Sequence, residues 1–291
     1  MKKTLALSLV CLLGSGLFAQ SLVKIQGVLD WERFTISTTL SLNFADAGMR
    51  LPTGRMYAEE MIHDGYQHLV RPQLLSLPLD SSTTLGDMLF SGEFSFTKAD
   101  AISAAARVVP AAMSTDLSKL FMTYIIDLTN LSNVLIKHSQ PADIMRTLIA
   151  APAASYTGVI IIANRPLPVH GWRTQALAEP CVFPKIWDTE MNLIYERSMV
   201  DRQHTDVMAR YIAYPRIFRD TPSGLDPEVE RLVGSNPLRI IASGLFGTRP
   251  TDIIIDHDDA LSIIASEDNR RLLREGKVAI VLDEHKLRTT F

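Results

Sequence analysis

The densest set of groups able to do chemistry in this 291-residue chain is Asp252, Asp256, His257, Asp258 and Asp259. Carboxylate oxygens and a neutral imidazole are ligands for divalent cations. The run lacks the spaced oxygens and mid-loop glycine of a calcium loop, and acidic residues at a helix start are favoured by the helix dipole alone. A strand end followed by an acidic helix N-terminus accounts for these residues, and no metal ligand is assigned. His63 and His68 stand five apart, which points them to different sides of a helix. Glu59 and His63, like Asp64 and His68, stand four apart and read as surface pairs rather than a zinc site. Gly244-Leu245-Phe246-Gly247 has neither the third glycine nor the Lys-Ser/Thr pair of a phosphate loop, and no Gly-x-Ser-x-Gly elbow occurs. Cys181, between Pro180 and Val182, reads as a small buried apolar residue rather than a nucleophile. No catalytic residue and no cofactor is assigned, and the expectation is a protein that is not an enzyme.

One segment suits contact with a partner. His170-Gly171-Trp172-Arg173 follows Pro166 and Pro168, so a proline-rich loop carries a tryptophan. A loop Trp supplies a large apolar area to an interface, which makes Trp172, with His170 and Arg173, the candidate interface. The sequence equally allows Trp172 to fold down onto a neighbouring sheet. Trp187 reads as half of a cross-strand pair.

Position and composition narrow the setting. Lys2 and Lys3, the apolar run Thr4 to Leu13 and the small Ala19 before Gln20 have the layout of a secretory signal peptide over residues 1–19. Its apolar part is shorter than the ~20 residues of a membrane helix, and no later apolar run reaches that length. Without Lys2 and Lys3 the chain carries 27 basic and 32 acidic side chains, a net charge of −5. That balance offers nothing to attract nucleic acid or an anionic membrane. Cys11 falls inside the leader, which leaves Cys181 without an internal disulfide partner. The expected location is periplasmic or envelope-associated.

The elements follow from periodicity. Leu22 to Leu42 is rich in β-branched and aromatic residues and reads as strands. Ala58, Met61, Ile62, Gly65, Tyr66, Leu69 and Val70 form the apolar stripe of one long helix, with an end or kink predicted at Pro72. Gly65 on that stripe predicts close approach of another backbone. Ser81 to Asp87 reads as a turn or helix cap, and Lys119 to Leu128 alternates as a strand. Asp143 to Ala154 reads as a helix and a boundary. Beyond it come a buried strand at Val159 to Ala163 and a hairpin over Phe183 to Glu196. Strands follow at Met208 to Tyr214, Leu238 to Phe246 and Thr251 to Asp256. His257 to Arg274 is helical with a break at Ser266, Gly276 is the stop, and Val278 to Leu282 is the last strand. The fold class is α+β: an N-terminal module of one long helix on antiparallel strands (20–150), then a β-rich module closed by a helix and a last strand (151–291).

Several segments carry a resemblance. They are Tyr156 to Ala163, Pro184 to Asp188, Leu193 to Tyr195, Asn236 to Leu238, Asp252 to Asp256 and Gly276 to Leu282. Together they resemble exported bacterial envelope proteins of the flagellar assembly protein T type and the small flagellum-associated outer-membrane lipoproteins. Leu51 to Glu59 and Thr83 to Asp87 are similar to that family's N-terminal module, which implies a dodecin-like wrap of strands on a long helix. Ala163-Asn164-Arg165-Pro166 departs from the family's Ala-Arg-Gly run, and the lipoprotein cysteine has no counterpart here. The resemblance implies a periplasmic structural or adaptor role, with self-association or envelope and flagellar motor proteins as partners. The alternative is a periplasmic binding module for a small ligand or peptide, with the junction of the two modules as its pocket.

Overall fold

The computed structural model describes residues 22–147, 154–205, 207–219 and 221–291; the leader segment lies outside them. In the N-terminal module, β1 (Val23–Asp30) and β2 (Thr35–Asn43) form a hairpin running from Val23 opposite Leu42 to Asp30 opposite Thr35. Helices α1 (Gly54–Leu75), α2 (Leu85–Phe90) and α3 (Phe96–Ala104) follow, then β3 (Arg107–Met113), β4 (Lys119–Asp127) and α4 (Leu128–Leu135). Strict alternation decides which face is covered. Ile36, Leu40 and Leu42 of β2 and Leu120, Met122, Tyr124 and Ile126 of β4 point inward, while Ser37, Thr39 and Thr123 stay half-exposed. The long helix α1 lies on the inward face through Ala58, Ile62, Tyr66, Val70 and Leu74. Tyr66 stacks on Tyr124 with ring centroids 3.8 Å apart.

The helix differs from its sequence expectations at four places. α1 runs through Pro72 to Leu75, slightly past the expected end, with Val70 and Leu74 buried on either side of the proline. Met61 is 40% exposed, and Gly65 meets only a side-chain atom of Leu69 at 3.8 Å, so no backbone approaches there. Burial follows a line of every fourth residue, narrower than the predicted stripe. Glu59 pairs with Arg55 at 2.8 Å, and His63 Nδ1 lies 3.4 Å from the Tyr124 hydroxyl, in place of the expected Glu59–His63 pair. The Ser81 to Asp87 cap is borne out: Thr84 and Asp87 form a reciprocal capping box at the start of α2.

The C-terminal module begins with β5 (Val159–Ile162) and the short hairpin β6 (Leu167–Pro168) and β7 (Gln175–Ala176). Next come β8 (Ile186–Asp188), β9 (Leu193–Tyr195), β10 (Arg210–Ala213), α5 (Pro227–Val233), β11 (Leu238–Ile241), β12 (Gly244–Phe246) and β13 (Asp252–Ile255). Helices α6 (His257–Ile264) and α7 (Glu267–Arg274) precede β14 (Val278–Leu282) and β15 (Arg288–Thr290). A four-stranded parallel sheet has the order β10-β14-β5-β11, and a mixed sheet has the order β12-β13-β8-β9. Val278 to Leu282 is buried throughout, as a parallel strand covered on both faces must be. Ile160, Ala279 and Val281 face a small core under α5 (Val229, Val233), whereas Val159, Ile161, Val278 and Ile280 face the main core.

The helix break at Ser266 and the stop at Gly276 (φ +64°) stand as expected. Leu238 to Phe246 is two strands rather than one, because Ala242 and Ser243 carry the chain from one sheet to the other. Residues 141–147 form no helix, and the rest of that expected element lies outside the described residues. β15 follows the strand expected to be last and returns to the N-terminal sheet, giving it the order β15-β1-β2-β4-β3. The main core is continuous across the two modules. At the opposite edge, β3 carries Pro110 and a bulge between Val109 and Ala112, both of which discourage addition of another strand.

Candidate functional site

The candidate interface occupies the β6–β7 hairpin. Val169 N donates to Thr174 O at 3.1 Å, Trp172 N donates to Val169 O at 3.0 Å, and Gly171 takes the left-handed φ of +81° that this tight turn needs. His170 N donates to Leu245 O at 2.8 Å, which anchors the hairpin on β12. Trp172 does not fold onto a sheet: its side chain is 65% exposed. Arg173 and His170 are exposed beside it, and the His170 ring meets Phe246 edge-on at 6.0 Å. The three residues singled out in the sequence are thus presented together at one hairpin tip.

The acidic run divides in two. Asp256 caps α6 in position, accepting Ser243 Oγ at 2.7 Å, and Asp258 and Asp259 fill the first turn, as the dipole reading expects. Asp252 is elsewhere in character. Its buried carboxylate accepts Ser81 Oγ at 2.9 Å and Trp187 Nε1 at 3.3 Å, and burial raises its pKa. Nearby Cys181 is fully buried, and burial pushes its thiol up to about 12, which makes it inert as a nucleophile at neutral pH.

His257 has partners the sequence reading missed. Its Nδ1 lies 3.0 Å from Asp188 Oδ2 and 3.8 Å from Glu190 Oε2, and ligand atoms of the three residues fall within 4.8 Å of one another. A cation would have to compete for Asp188 with donors already in place. Its Oδ1 accepts Glu190 N at 3.0 Å and Asn192 N at 2.8 Å, while Oδ2 accepts Asn192 Nδ2 at 2.8 Å and faces the imidazole. Burial pushes the Asp188 pKa up, but the bonds from Asn192 and His257 outweigh it and leave it lowered. The Asp188 hydrogen bond raises the His257 pKa, which favours an imidazolium and works against a bound cation. The cluster fastens the β8–β9 turn to the start of α6. The signal for it was the Asp188 to Asn192 spacing, in which an aspartate collects the amides of its own turn.

The junction of the modules contains a cleft of about 710 Å³. Glu32 and Arg33, from the β1–β2 turn, form one side; β10 and α5 form the other, and Arg288 of β15 lies between. Glu32 Oε1 accepts Ala213 N at 3.0 Å on the free edge of β10, so the N-terminal turn is fixed against the parallel sheet.

Two family models match the chain. Residues 22–134 match the family model described as Treponema pallidum Tp0624, N-terminal domain. Residues 158–284 match the one described as Treponema pallidum Tp0624, second domain. The chain is similar to these two domains, in the same order. A search of curated proteins finds no match. Among the described residues no helix is long and apolar enough to cross a membrane.

Proposed function

We propose that this chain is an exported structural or adaptor protein of the bacterial envelope, acting by surface complementarity rather than by making or breaking bonds. Its assembly is envelope- or flagellum-associated, with a second copy or an envelope component as partner. One observation carries the reading: a 65% exposed tryptophan at the tip of a hairpin whose backbone is fixed by bonds to itself and to β12. Such a residue keeps a large apolar area in water at a cost that contact with a partner removes. The leader-like residues 1–19 support export, and the proline and bulge on β3 favour contact through this hairpin over strand addition at that edge. In-cell photocrosslinking tests it, with the reactive residue at position 172 and, as control, at the exposed Thr115 on the β3–β4 turn. The expected outcome is a discrete adduct from position 172 alone, in the envelope fraction. Equal labelling from both positions, or protein retained in the cytosol with its leader uncut, overturns the proposal. A second reading, a binding module with the junction as its pocket, is favoured by the cleft that lies there.

A further inference from the structure

We infer that the junction cleft binds a small oxyanion carrying two or more negative charges, held between Arg33 of the N-terminal module and Arg210 of the C-terminal module. The inference rests on the binding-module reading and names its ligand class.

Charge bookkeeping around the cleft carries it. Each carboxylate in the wall already has a guanidinium: Glu32 pairs with Arg216 at 2.9 Å, Asp226 with Arg219 at 3.4 Å and Glu228 with Arg231 at 3.7 Å. Arg288 is held by Asp30 at 3.2 Å. Arg33 and Arg210 also line the cleft, and neither has a carboxylate within ion-pair distance among the described residues. Among the described residues the cleft therefore holds two guanidinia with no carboxylate partner, in a chain whose formal net charge is −3. A guanidinium presents a planar fork that matches a phosphate or carboxylate by two parallel hydrogen bonds. Two forks facing one cleft select a ligand with two anionic groups or one doubly charged group, and the cleft concentrates their field.

The surroundings favour a ligand over bare solvent. Tyr211 stands two residues before Ala213 on β10, so its N–H turns to the same free edge where Glu32 meets Ala213. That edge adds a fixed backbone donor beside Arg210. Ile212, Val229 and Leu232 supply an apolar wall, and the volume lies within the ~300–1,000 Å³ of small-ligand pockets. Among the described residues neither arginine holds the fold by an ion pair, so both can be changed without removing a described structural partner.

The test is titration calorimetry on the purified full chain with pyrophosphate, with citrate and with vesicles containing phosphatidic acid, whose phosphomonoester can carry two charges, at constant ionic strength. Saturable binding of pyrophosphate or citrate is expected, weakened about tenfold or more in Arg33→Gln and in Arg210→Gln. Binding to vesicles alone, lost in the same variants, assigns the anion to a lipid headgroup. Added salt should weaken the interaction because the guanidinia are exposed. Circular dichroism confirms that the variants fold. Absence of binding in all three arms, or binding unchanged in both variants, overturns the inference. A library of neutral and cationic metabolites, scored by thermal shift against the cleft-filling Ile212→Trp, separates the two levels of the claim. Where pyrophosphate, citrate and vesicles all fail to bind, a shift that Ile212→Trp abolishes keeps the pocket and rejects the oxyanion, and no shift with any compound of the library rejects both.

Discussion

The Ser81–Asp252 bond is where the joining of the two modules can be measured. Ser81 lies in the turn between α1 and α2, and Asp252 opens β13, 171 residues further along the chain. Both are buried, and Ser81 Oγ donates to Asp252 Oδ2 at 2.9 Å. The turn is clamped around them by Arg249 N to Ser81 O (2.9 Å) and Phe183 N to Leu79 O (2.8 Å). Gly247, at φ +105°, comes so close that a Cβ there would stand 2.2 Å from Ser81 Cβ. A hydrogen bond to a charged group contributes about 1.5–3 kcal/mol, and leaving a buried partner unsatisfied costs about 1–3 kcal/mol. Ser81→Ala should therefore cost about 1.5–3 kcal/mol. Asp252→Ala should cost about 2–4 kcal/mol, because it strands both the Ser81 hydroxyl and the Trp187 indole N–H. Together the two changes should cost less than their sum by about 1.5 kcal/mol, since the bond can be lost only once. Urea unfolding of the four proteins, with a common slope, gives the coupling. Additivity within about 0.5 kcal/mol would show that the bond carries no energy between the modules, and the argument would fail. The pH dependence supplies a second check. Burial raises the Asp252 pKa, so the folded state binds the proton more tightly than the unfolded state. Stability relative to Asp252→Asn should rise as pH falls through the raised folded pKa toward the ordinary carboxylate range.

Other sites give sharp outcomes. A Cβ on Gly158 would stand 2.5 Å from the Val233 Cα and carbonyl oxygen, so Gly158→Ala should destabilise by about 1–3 kcal/mol or more, read as a lower urea midpoint; an unchanged midpoint would refute the close contact of β5 with α5. The His257 pKa is raised chiefly by its bond to Asp188, so the stabilisation it brings is fully present below its unfolded pKa of about 6.5 and is lost as pH rises through the folded value. Proton NMR titration should show the His257 pKa falling in Asp188→Asn, and an unmoved value would reject the pairing. Trp172→Ala should leave stability within about 0.5 kcal/mol, because the side chain is mostly in water, while removing partner adducts in cells.

Elements whose burial is settled by their own neighbours were legible in sequence. The alternation of Leu120, Met122, Tyr124 and Ile126 specified β4, and the apolar run from Val278 to Leu282 specified a strand, which the structure shows buried throughout. The Gly276 stop was legible because a C-terminal cap acts within one turn, and the Ser266 break because serine favours a helix start, although its side chain makes no cap bond here. The loop of Trp172 was visible through its prolines, whereas its form as a hairpin and the direction of the tryptophan come only from the structure. What was hidden depends on distant pairing. Arg288 to Thr290 is too short and polar to announce a strand, and it exists as β15 only because β1 supplies its ladder. Asp188 read only as part of a hairpin until α6 brought His257 to it, and Asp252 looked like one more acid of a run until Ser81 arrived from the other module. Pro72 misled because local chemistry argues for a helix end there, while buried Val70 and Leu74 hold the last turn in place.

The returning C-terminal strand also explains why a cleft can persist between modules that a linker alone would leave free to move. Asp30 ends β1 and accepts the backbone N–H of Arg33 at 3.0 Å, which shapes the turn carrying Glu32 and Arg33. The same carboxylate takes Arg288 of β15 at 3.2 Å. Beyond it, Gly27 and Phe291 exchange backbone bonds at 2.9 and 3.0 Å, with the Phe291 ring lying where a Gly27 side chain would stand. One buried acid thus fixes both the turn that bears one cleft arginine and the tail that leads back from the other module. Glu32 closes the loop by binding the edge of β10 next to Arg210. Two charges held apart on a flexible hinge would each be solvated separately, and a shared ligand would have to supply the free energy of ordering them. Set on a frame fastened at three points, the backbone positions of both are fixed before any ligand arrives, so only the two side chains remain to be ordered by an anion.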